Sequence, residues 1–159
     1  MAERDAAIRR ASAADPADAA DVARLLHDFN AEYDEPTPGV EALAEHAASL
    51  LDAGEITVLF AGAGPDGFCL LRFHRSIYNG RPDAYVQELY VIPQRRGEGL
   101  GRALLEAALD AARDAGAPHV ELTTGEDDAE ARSLYESVGF TNREGGPDGP
   151  RMLYYEREL

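Results

Sequence analysis

At residues 91–102 the sequence reads VIPQRRGEGLGR, a stretch with three glycines and three arginines. A strand-like apolar segment precedes it, and apolar residues at helical spacing follow it. Glycine accepts a positive φ and has no Cβ, so such a loop can aim several backbone N–H groups at one point. The following helix adds the positive end of its dipole. The stretch therefore predicts a cradle for a pyrophosphate group.

Other glycine-rich turns fit this stretch less well. A Rossmann fingerprint needs Gly-x-Gly-x-x-Gly after the first strand, whereas here Gly97, Gly99 and Gly101 come late in the chain. A Walker loop needs Gly-Lys-Ser/Thr, and the chain contains no lysine. Three arginines within residues 95–102 interrupt an otherwise acidic chain, as a polyanionic ligand requires. From these residues alone, a tight turn without a ligand is the alternative.

Hydrophobic periodicity predicts one mixed α/β (α+β) domain over residues 1–159, with a mixed, mostly antiparallel central sheet flanked by helices. Asp15 is expected to cap the first helix and Asp127, with Glu130, the last. Alternation places Ile77 on the buried face of the third strand. The predicted elements are, in order, a strand at 8–10, helices at 16–33 and 40–51, strands at 56–61, 68–78 and 84–92, a helix at 100–115, a strand at 119–124, a helix at 128–138, and a strand at 152–158.

Composition excludes several classes of function. The net charge of −15 disfavours binding to nucleic acid or to anionic membranes. No apolar run of about 18 residues predicts a membrane-spanning helix. The first five residues are acidic and mixed, unlike a signal peptide, and a single cysteine, Cys69, fits a reducing compartment. We expect a cytoplasmic protein.

Two motifs carry a resemblance. Residues 88–105 resemble the central motif of the Gcn5-related N-acetyltransferase (GNAT) superfamily, Arg/Gln-x-x-Gly-x-Gly/Ala, which Arg96, Gly99 and Gly101 match. Residues 131–140 resemble the later motif of the family. The resemblance covers nearly the whole chain and implies the GNAT fold, acetyl-CoA as acyl donor, no metal, and transfer to an amine.

The resemblance also implies where acetyl-CoA binds. The backbone of residues 89–91 would lie along the pantetheine arm and donate an N–H to the acetyl oxygen. Asp128 stands where the family often has Asn, so its contact with the pantetheine arm competes with a role at the helix start. The implied cofactor-binding residues are Leu89, Tyr90, Val91, Arg96, Gly97, Glu98, Gly99, Leu100, Gly101, Arg102 and Asp128.

Acetyl transfer requires a neutral amine, a stabilised oxyanion and a protonated leaving thiol. The family uses a tyrosine at the position of Tyr135, which we expect to be the acid; the alternative is a core tyrosine. Glu88 is the expected base, directly or through water, because glutamate is unusual in a central strand. The alternative for Glu88 is a solvated or ion-paired residue.

Other residues bear on the acceptor. The helix–helix junction borders the acceptor pocket in the family, so Phe29, Tyr33 and Glu35 are expected to bind substrate. His74 is a further candidate for the substrate cleft. Cys69 is read as a buried hydrophobe rather than a nucleophile, and the four histidines have no metal-ligand spacing.

The leading hypothesis is direct attack in a ternary complex by a small cationic amine, of polyamine or aminoglycoside type. The acidic surface, with Glu32, Asp34 and Glu35, motivates the cationic acceptor. The alternatives are a protein N-terminal or lysine acetyltransferase and a non-catalytic acyl-CoA-binding sensor. The family implies a homodimer, in which the final strand would pair between chains.

Overall fold

The computed structural model describes residues 7–159 and divides the chain into two compact units, one ending at Leu122 and the other spanning Thr123–Leu159. The acidic segment at 1–5 lies outside the described residues. The first unit contains β1 (Ile8–Arg10), α1 (Pro16–Glu32), α2 (Val40–Asp52), β2 (Thr57–Ala61), β3 (Gly67–Arg75), β4 (Pro82–Val91), α3 (Leu100–Asp114) and β5 (Val120–Leu122). The second contains α4 (Ala129–Ser137).

The strands form one sheet in the order β1-β2-β3-β4-β5. Each of the first three pairs is antiparallel, and β4 pairs with β5 in parallel. A parallel pair needs a crossover connection, which α3 supplies. The predicted mixed, mostly antiparallel sheet is confirmed.

The two faces of the sheet bury different helices. Helices α1 and α2 pack on the face to which Val58, Phe60 and Leu70 point, and these residues share one apolar cluster with Val22 and Leu25. Strand alternation sends Leu59, Cys69 and Leu71 to the opposite face. Helix α3 covers that face closely, since a Cβ added at Gly67 would lie 3.3 Å from Leu104. We call these the α1 face and the α3 face.

Strand β4 contains a β-bulge at Gln87. Leu70 pairs with Glu88, but its neighbour Leu71 pairs with Val86, so one residue of β4 has no partner. Ala84 and Val86 therefore point to the α3 face, whereas Glu88 and Tyr90 point to the α1 face. Without the extra residue, strict alternation would turn Glu88 and Tyr90 to the other side.

An ion pair joins β1 to the start of α1. Asp18 is 2% exposed, and its carboxylate accepts from the Ser12 backbone N–H at 2.7 Å and pairs with Arg9 at 2.8 Å. The Arg9 hydrogen bond lowers the pKa of Asp18 despite the opposing effect of burial. Arg9 also lies over the Phe60 ring, 4.7 Å from its centroid. Asp15 caps α1 as predicted, by accepting from the Ala17 N–H.

The β3–β4 hairpin ends earlier than the sequence predicts. Pairing stops at Arg75 and Pro82, and Ser76–Arg81 hydrogen bonding closes the turn. The Gly80 N–H donates back to the Ser76 carbonyl, so residues 77–80 form the turn rather than a longer ladder. Ile77, predicted on the buried face, is 94% exposed in the turn.

The second unit corrects two predictions. Asp128, not Asp127, is the N-cap of α4, with its carboxylate accepting from the Ala131 N–H at 3.0 Å. The predicted strand at 152–158 is absent: only an isolated bridge joins Arg143 and Arg151. Hydropathy favours a strand there, but a strand forms only against a hydrogen-bonding partner. Helix α4 has half-buried rather than fully buried apolar positions and ends at Gly139, whose φ is 98°.

We predict that Asp18→Ala lowers the free energy of unfolding by about 1–3 kcal/mol, because the Ser12 N–H loses its acceptor and Arg9 its partner. Asp18 has a lowered pKa, so its contribution is present above the unfolded pKa of 3.8 and lost as the pH falls through the folded value. Denaturant unfolding at pH 7 and at pH 3 measures both effects. Exposed Asp28 on the same helix is the control, and equal losses in Asp28→Ala and Asp18→Ala would contradict the prediction.

Candidate active site

The outer edge of β4 is open beyond its bulge. β5 pairs only with residues 84–86 of β4, so residues 87–91 have no strand on that side within the described chain. The Ile92 N–H donates to the Asp66 carbonyl on the β3 side. Hydrogen bonding alternates along an antiparallel pair, so the N–H groups of Leu89 and Val91 point away from β3. An extended polyamide chain can pair with these groups.

The glycine turn follows directly. Gly97 and Gly99 have φ of 79° and 87°, and a Cβ at either position would meet no atom within 4 Å. Internal packing therefore does not require these glycines, and the space around them is open. The first intrahelical bond of α3 is from the Ala103 N–H to the Gly99 carbonyl, which leaves the preceding N–H groups at the helix start unbonded within the helix. Leu100 is buried, so only its backbone faces this turn.

The arginines of the turn are all paired with carboxylates. Arg95 contacts Glu98 at 2.6 Å and Asp66 at 2.7 Å. Arg102 lies 3.8 Å from Glu106, one helical turn away. Arg96 forms a two-pronged pair with Glu32 of α1, at 2.6 and 2.7 Å. The sequence suggested free positive charge here, but in the fold each of these arginines contacts a carboxylate.

Arg96 also connects α1 with β4. Its Nε donates to the Val91 carbonyl at 3.0 Å, and its guanidinium lies 5.7 Å from the centroid of the Tyr90 ring. Phe29 of α1 stacks on Tyr90, with ring centroids 4.9 Å apart. The hydrogen bond from Arg96 lowers the pKa of Glu32, and burial, with Glu32 nearby, raises the pKa of Tyr90.

The residues predicted at the helix junction divide between packing and exposure. Phe29 is half-buried and packs against the core cluster, as well as against Tyr33 with ring centroids 5.6 Å apart. Tyr33 is 58% exposed. Glu35 is also exposed, and its backbone N–H donates to the Asn30 carbonyl. Glu32, which the sequence analysis grouped with Asp34 and Glu35 as acidic residues that attract a cationic acceptor, instead pairs with Arg96.

Glu88 lies half-buried on the α1 face, directly opposite Leu70. Burial raises the pKa of its carboxyl group above 4.5. No residue in the range 7–159 forms an ion pair or side-chain hydrogen bond with it. A carboxylate without a partner, beside an open strand edge, is suited to accept a proton.

A depression of about 340 Å³ lies on the same sheet, with His74 in its lining. His74 Nε2 is 3.9 Å from Asp83, its cross-strand partner. Sequence reasoning missed most of the other residues, which have no shared motif and meet only through strand register. The lining residues are Glu55, Arg72, Phe73, His74, Tyr85 and Glu121.

Three residues considered in the sequence analysis remain, and they are Tyr135, Asp128 and Cys69. Tyr135 on α4 is half-buried, and its ring centroid lies 6.2 Å from that of Phe140. Asp128 is occupied as the α4 cap. Cys69 is fully buried, and burial raises the pKa of its thiol to about 12, as expected for a packing residue.

Residues 7–159 contain no group of three or more His, Cys, Asp or Glu arranged to hold a metal ion. In the same range, no helix is long and apolar enough to cross a membrane.

Comparison with known proteins places the chain in a family. The sequence profile of the acetyltransferase (GNAT) family matches residues 22–140. The crystal structure of a protein described as a "putative acetyltransferase" from Arthrobacter sp. FB24 superposes with a TM-score of 0.86 at 45% identity, covering 96% of both chains.

Curated relatives agree with this assignment. Aminoglycoside N(6')-acetyltransferase type 1 of Stenotrophomonas maltophilia is 32% identical over 92% of this chain and 91% of its own length. Mycothiol acetyltransferase of Beutenbergia cavernae is 49% identical, but the match covers 38% of this chain and 21% of that protein. With its open β4 edge, its glycine turn and a family profile that spans most of its length, the chain belongs to the acetyltransferase (GNAT) family.

Proposed function

We propose that the protein transfers an acetyl group from acetyl-CoA to the primary amine of a small cationic acceptor, by direct attack in a ternary complex. The observation that carries the proposal is Glu88, a half-buried carboxylate without a described partner, next to the open edge of β4. We propose that residues 1–159 act as one acyltransferase domain.

The open edge and the glycine turn fit the two chemical parts of acetyl-CoA. Leu89 and Val91 would present N–H groups to the pantetheine amides and to the acetyl oxygen, where a donor stabilises developing negative charge. Gly97, Gly99 and the first N–H groups of α3 would hold the pyrophosphate. When bound, acetyl-CoA supplies an activated thioester.

Glu88 would remove a proton from the acceptor. A primary amine with a pKa near 10 is almost wholly protonated at pH 7 and then has no lone pair for attack. A carboxyl group with a raised pKa is a stronger base than an exposed one, so burial of Glu88 favours proton transfer directly or through a water molecule. The acceptor nitrogen then forms the amide bond.

Tyr135 would return a proton to the leaving thiolate. Support for this role comes from its position in the later family motif and not from a distance to the open edge of β4, because Tyr135 lies in the second unit. A phenol with a pKa of about 10 can protonate a thiolate within hydrogen-bond reach.

The acceptor class rests on charge and on a relative. The chain carries −15 net charge, which attracts cations. The relative that covers nine-tenths of this chain is named for an aminoglycoside, a polyamino acceptor. A protein N-terminal or lysine acetyltransferase and an acyl-CoA sensor are the alternatives, and release of free thiol from acetyl-CoA with an amine panel, a peptide and a no-acceptor control separates the three.

We predict that Gly99→Asp abolishes most acetyl-CoA binding, because it places a side chain and negative charge where phosphate would lie. Gly116→Asp is the matched control: Gly116 also has positive φ and open space, but it lies beyond the other end of α3. Both variants carry a similar strain of about 1–2 kcal/mol. Calorimetry should give a dissociation constant raised at least about tenfold only for Gly99→Asp, with both folds intact by circular dichroism. Equal affinities of the two variants for acetyl-CoA would contradict the assignment of the glycine turn as the pyrophosphate site.

We predict that Glu88→Gln lowers kcat/KM for a primary amine most near neutral pH, with partial recovery at high pH, where free amine is abundant. The same variant should gain thermal stability at pH 7. A raised carboxyl pKa contributes stability below the unfolded value of 4.5 that is lost as pH rises through the folded value, so the variant and the wild type should converge in stability below pH 4.5.

Rates and melting temperatures across pH measure both effects of Glu88→Gln, with exposed Glu45→Gln as control. Parallel pH–rate profiles with unchanged efficiency would exclude Glu88 as the base. A variant that is less stable at pH 7 than at pH 4, relative to wild type, would contradict the burial argument.

We predict that Tyr135→Phe reduces turnover on the order of 10²-fold while acetyl-CoA affinity stays near wild type. The substitution removes one hydroxyl and little packing. Exposed Tyr154→Phe is the control. Wild-type turnover together with a lower melting temperature would assign Tyr135 to packing instead.

A further inference from the structure

Three side chains form a row across neighbouring strands beside Glu88. Arg72 of β3 pairs with Tyr85 of β4, which pairs with Glu121 of β5. The bulge at Gln87 separates this row from Glu88, and strand alternation places both on the α1 face. The row lines the depression of about 340 Å³, so this depression borders the proposed base.

The guanidinium of Arg72 has N–H groups that no described residue accepts. Its Nε donates to the Gln87 side-chain oxygen at 2.5 Å. Within residues 7–159, no carboxylate lies within 4.0 Å of its guanidinium, and its two terminal nitrogens have no acceptor. A guanidinium stays charged at any physiological pH and presents paired N–H groups that fit an oxygen acceptor.

Carboxylates lie in the same depression. Glu55 is exposed and has no ion-pair partner in the described part of the chain. Glu121 is 55% exposed, and it lies 3.9 Å from His119, an ion pair only when that histidine is protonated. A plain cation would meet these carboxylates but would also meet Arg72, which repels it. The depression therefore offers separate positions for a positive group and for an oxygen acceptor.

Resting on the proposed function, we propose that this depression recognises the far end of the acceptor, where a second ammonium group lies beside an oxygen acceptor. Glu121 binds the ammonium, and Arg72, two strands away across Tyr85, donates to the oxygen. The oxygen belongs to a carboxylate, as in an amino acid, or to a hydroxyl, as in an amino sugar. Polyamines without oxygen are therefore the poorer acceptors.

The spacing limits the length of the acceptor. Residues two apart on one face of a strand are about 7 Å apart, and the bulge makes Tyr85 and Glu88 such neighbours. An extended diamine with five carbons between its nitrogens spans a similar length. A chain of that length can place one nitrogen at Glu88 while the other lies in the depression.

The test uses three acceptors with identical nitrogen spacing: cadaverine, lysinol and lysine, which carry hydrogen, a hydroxymethyl group and a carboxylate at the same carbon. We expect lysinol, lysine or both to exceed cadaverine in kcat/KM by about tenfold or more, as one charge-assisted hydrogen bond gives. Lysine above lysinol identifies a carboxylate; lysinol equal to or above lysine identifies a hydroxyl.

Two arginine variants complete the test. Arg72→Met should bring the ratio of kcat/KM for lysinol or lysine to kcat/KM for cadaverine close to one, whereas Arg75→Met should keep the wild-type ratio. Arg75 lies on the same strand but on the opposite face, where it donates to the Gly80 carbonyl. Equal efficiencies for all three acceptors in the wild type, or a ratio that survives Arg72→Met, would overturn the inference.

If the series is not acetylated, the two variants are compared on the best acceptor of a wider amine panel. The inference is then overturned if the best acceptor contains no oxygen. It is also overturned if the KM for that acceptor rises no more in Arg72→Met than in Arg75→Met. Either outcome leaves the proposed function standing. An absence of thiol release with every amine overturns the proposed function itself.

Discussion

The extra residue in β4, Gln87, controls which side chains meet at the site. A strand places alternate residues on opposite faces, so one inserted residue reverses the direction of every side chain beyond it. Ala84 and Val86 before the bulge pack toward α3, while Glu88 and Tyr90 after it face α1. The pairing of β4 with β5 also stops just before the bulge. One irregularity thus borders both an unpaired backbone edge and the half-buried carboxylate of Glu88.

Charge is distributed differently from what composition suggests. The chain is strongly acidic, and the arginines of the glycine turn looked like a local reversal of sign. In the fold each of them contacts a carboxylate, and Arg96 holds Glu32 and the Val91 carbonyl together. The neighbouring carboxylates therefore hold the arginines of the turn in place through ion pairs. Oriented backbone N–H groups add a positive contribution that does not depend on net charge.

The sequence was informative where a local pattern determines a local structure. The helices, the order of the strands and the glycine turn follow from periodicity, capping residues and glycine chemistry, all within a few residues. Predictions failed where the structure of a segment depends on a partner that is distant in the sequence. Ile77 alternates correctly with its strand, but the turn that Ser76 and Arg81 close leaves it outside the ladder. Residues 152–158 have strand-like composition without a strand to pair with.

The same limit applies to the site. Arg72, Tyr85 and Glu121 come from three strands and meet only because of register, which a bulge shifts and no local pattern reveals. Glu88 was found from its unusual residue type in a strand, although its face depends on the bulge. Asp128 was recognised as a competitor for two roles, and its hydrogen bond to the Ala131 N–H gives it the helix cap.

Burial of Cys69 has a practical consequence for measuring turnover. Disulfide reagents react with thiolates, and the thiol of Cys69 has a pKa of about 12 and no exposed surface. The chain contains no other cysteine. In a colorimetric assay, the folded protein therefore contributes almost no background, and the colour counts coenzyme thiol released. The same reagent, used without an acyl donor, reports the fraction of molecules whose sheet has opened.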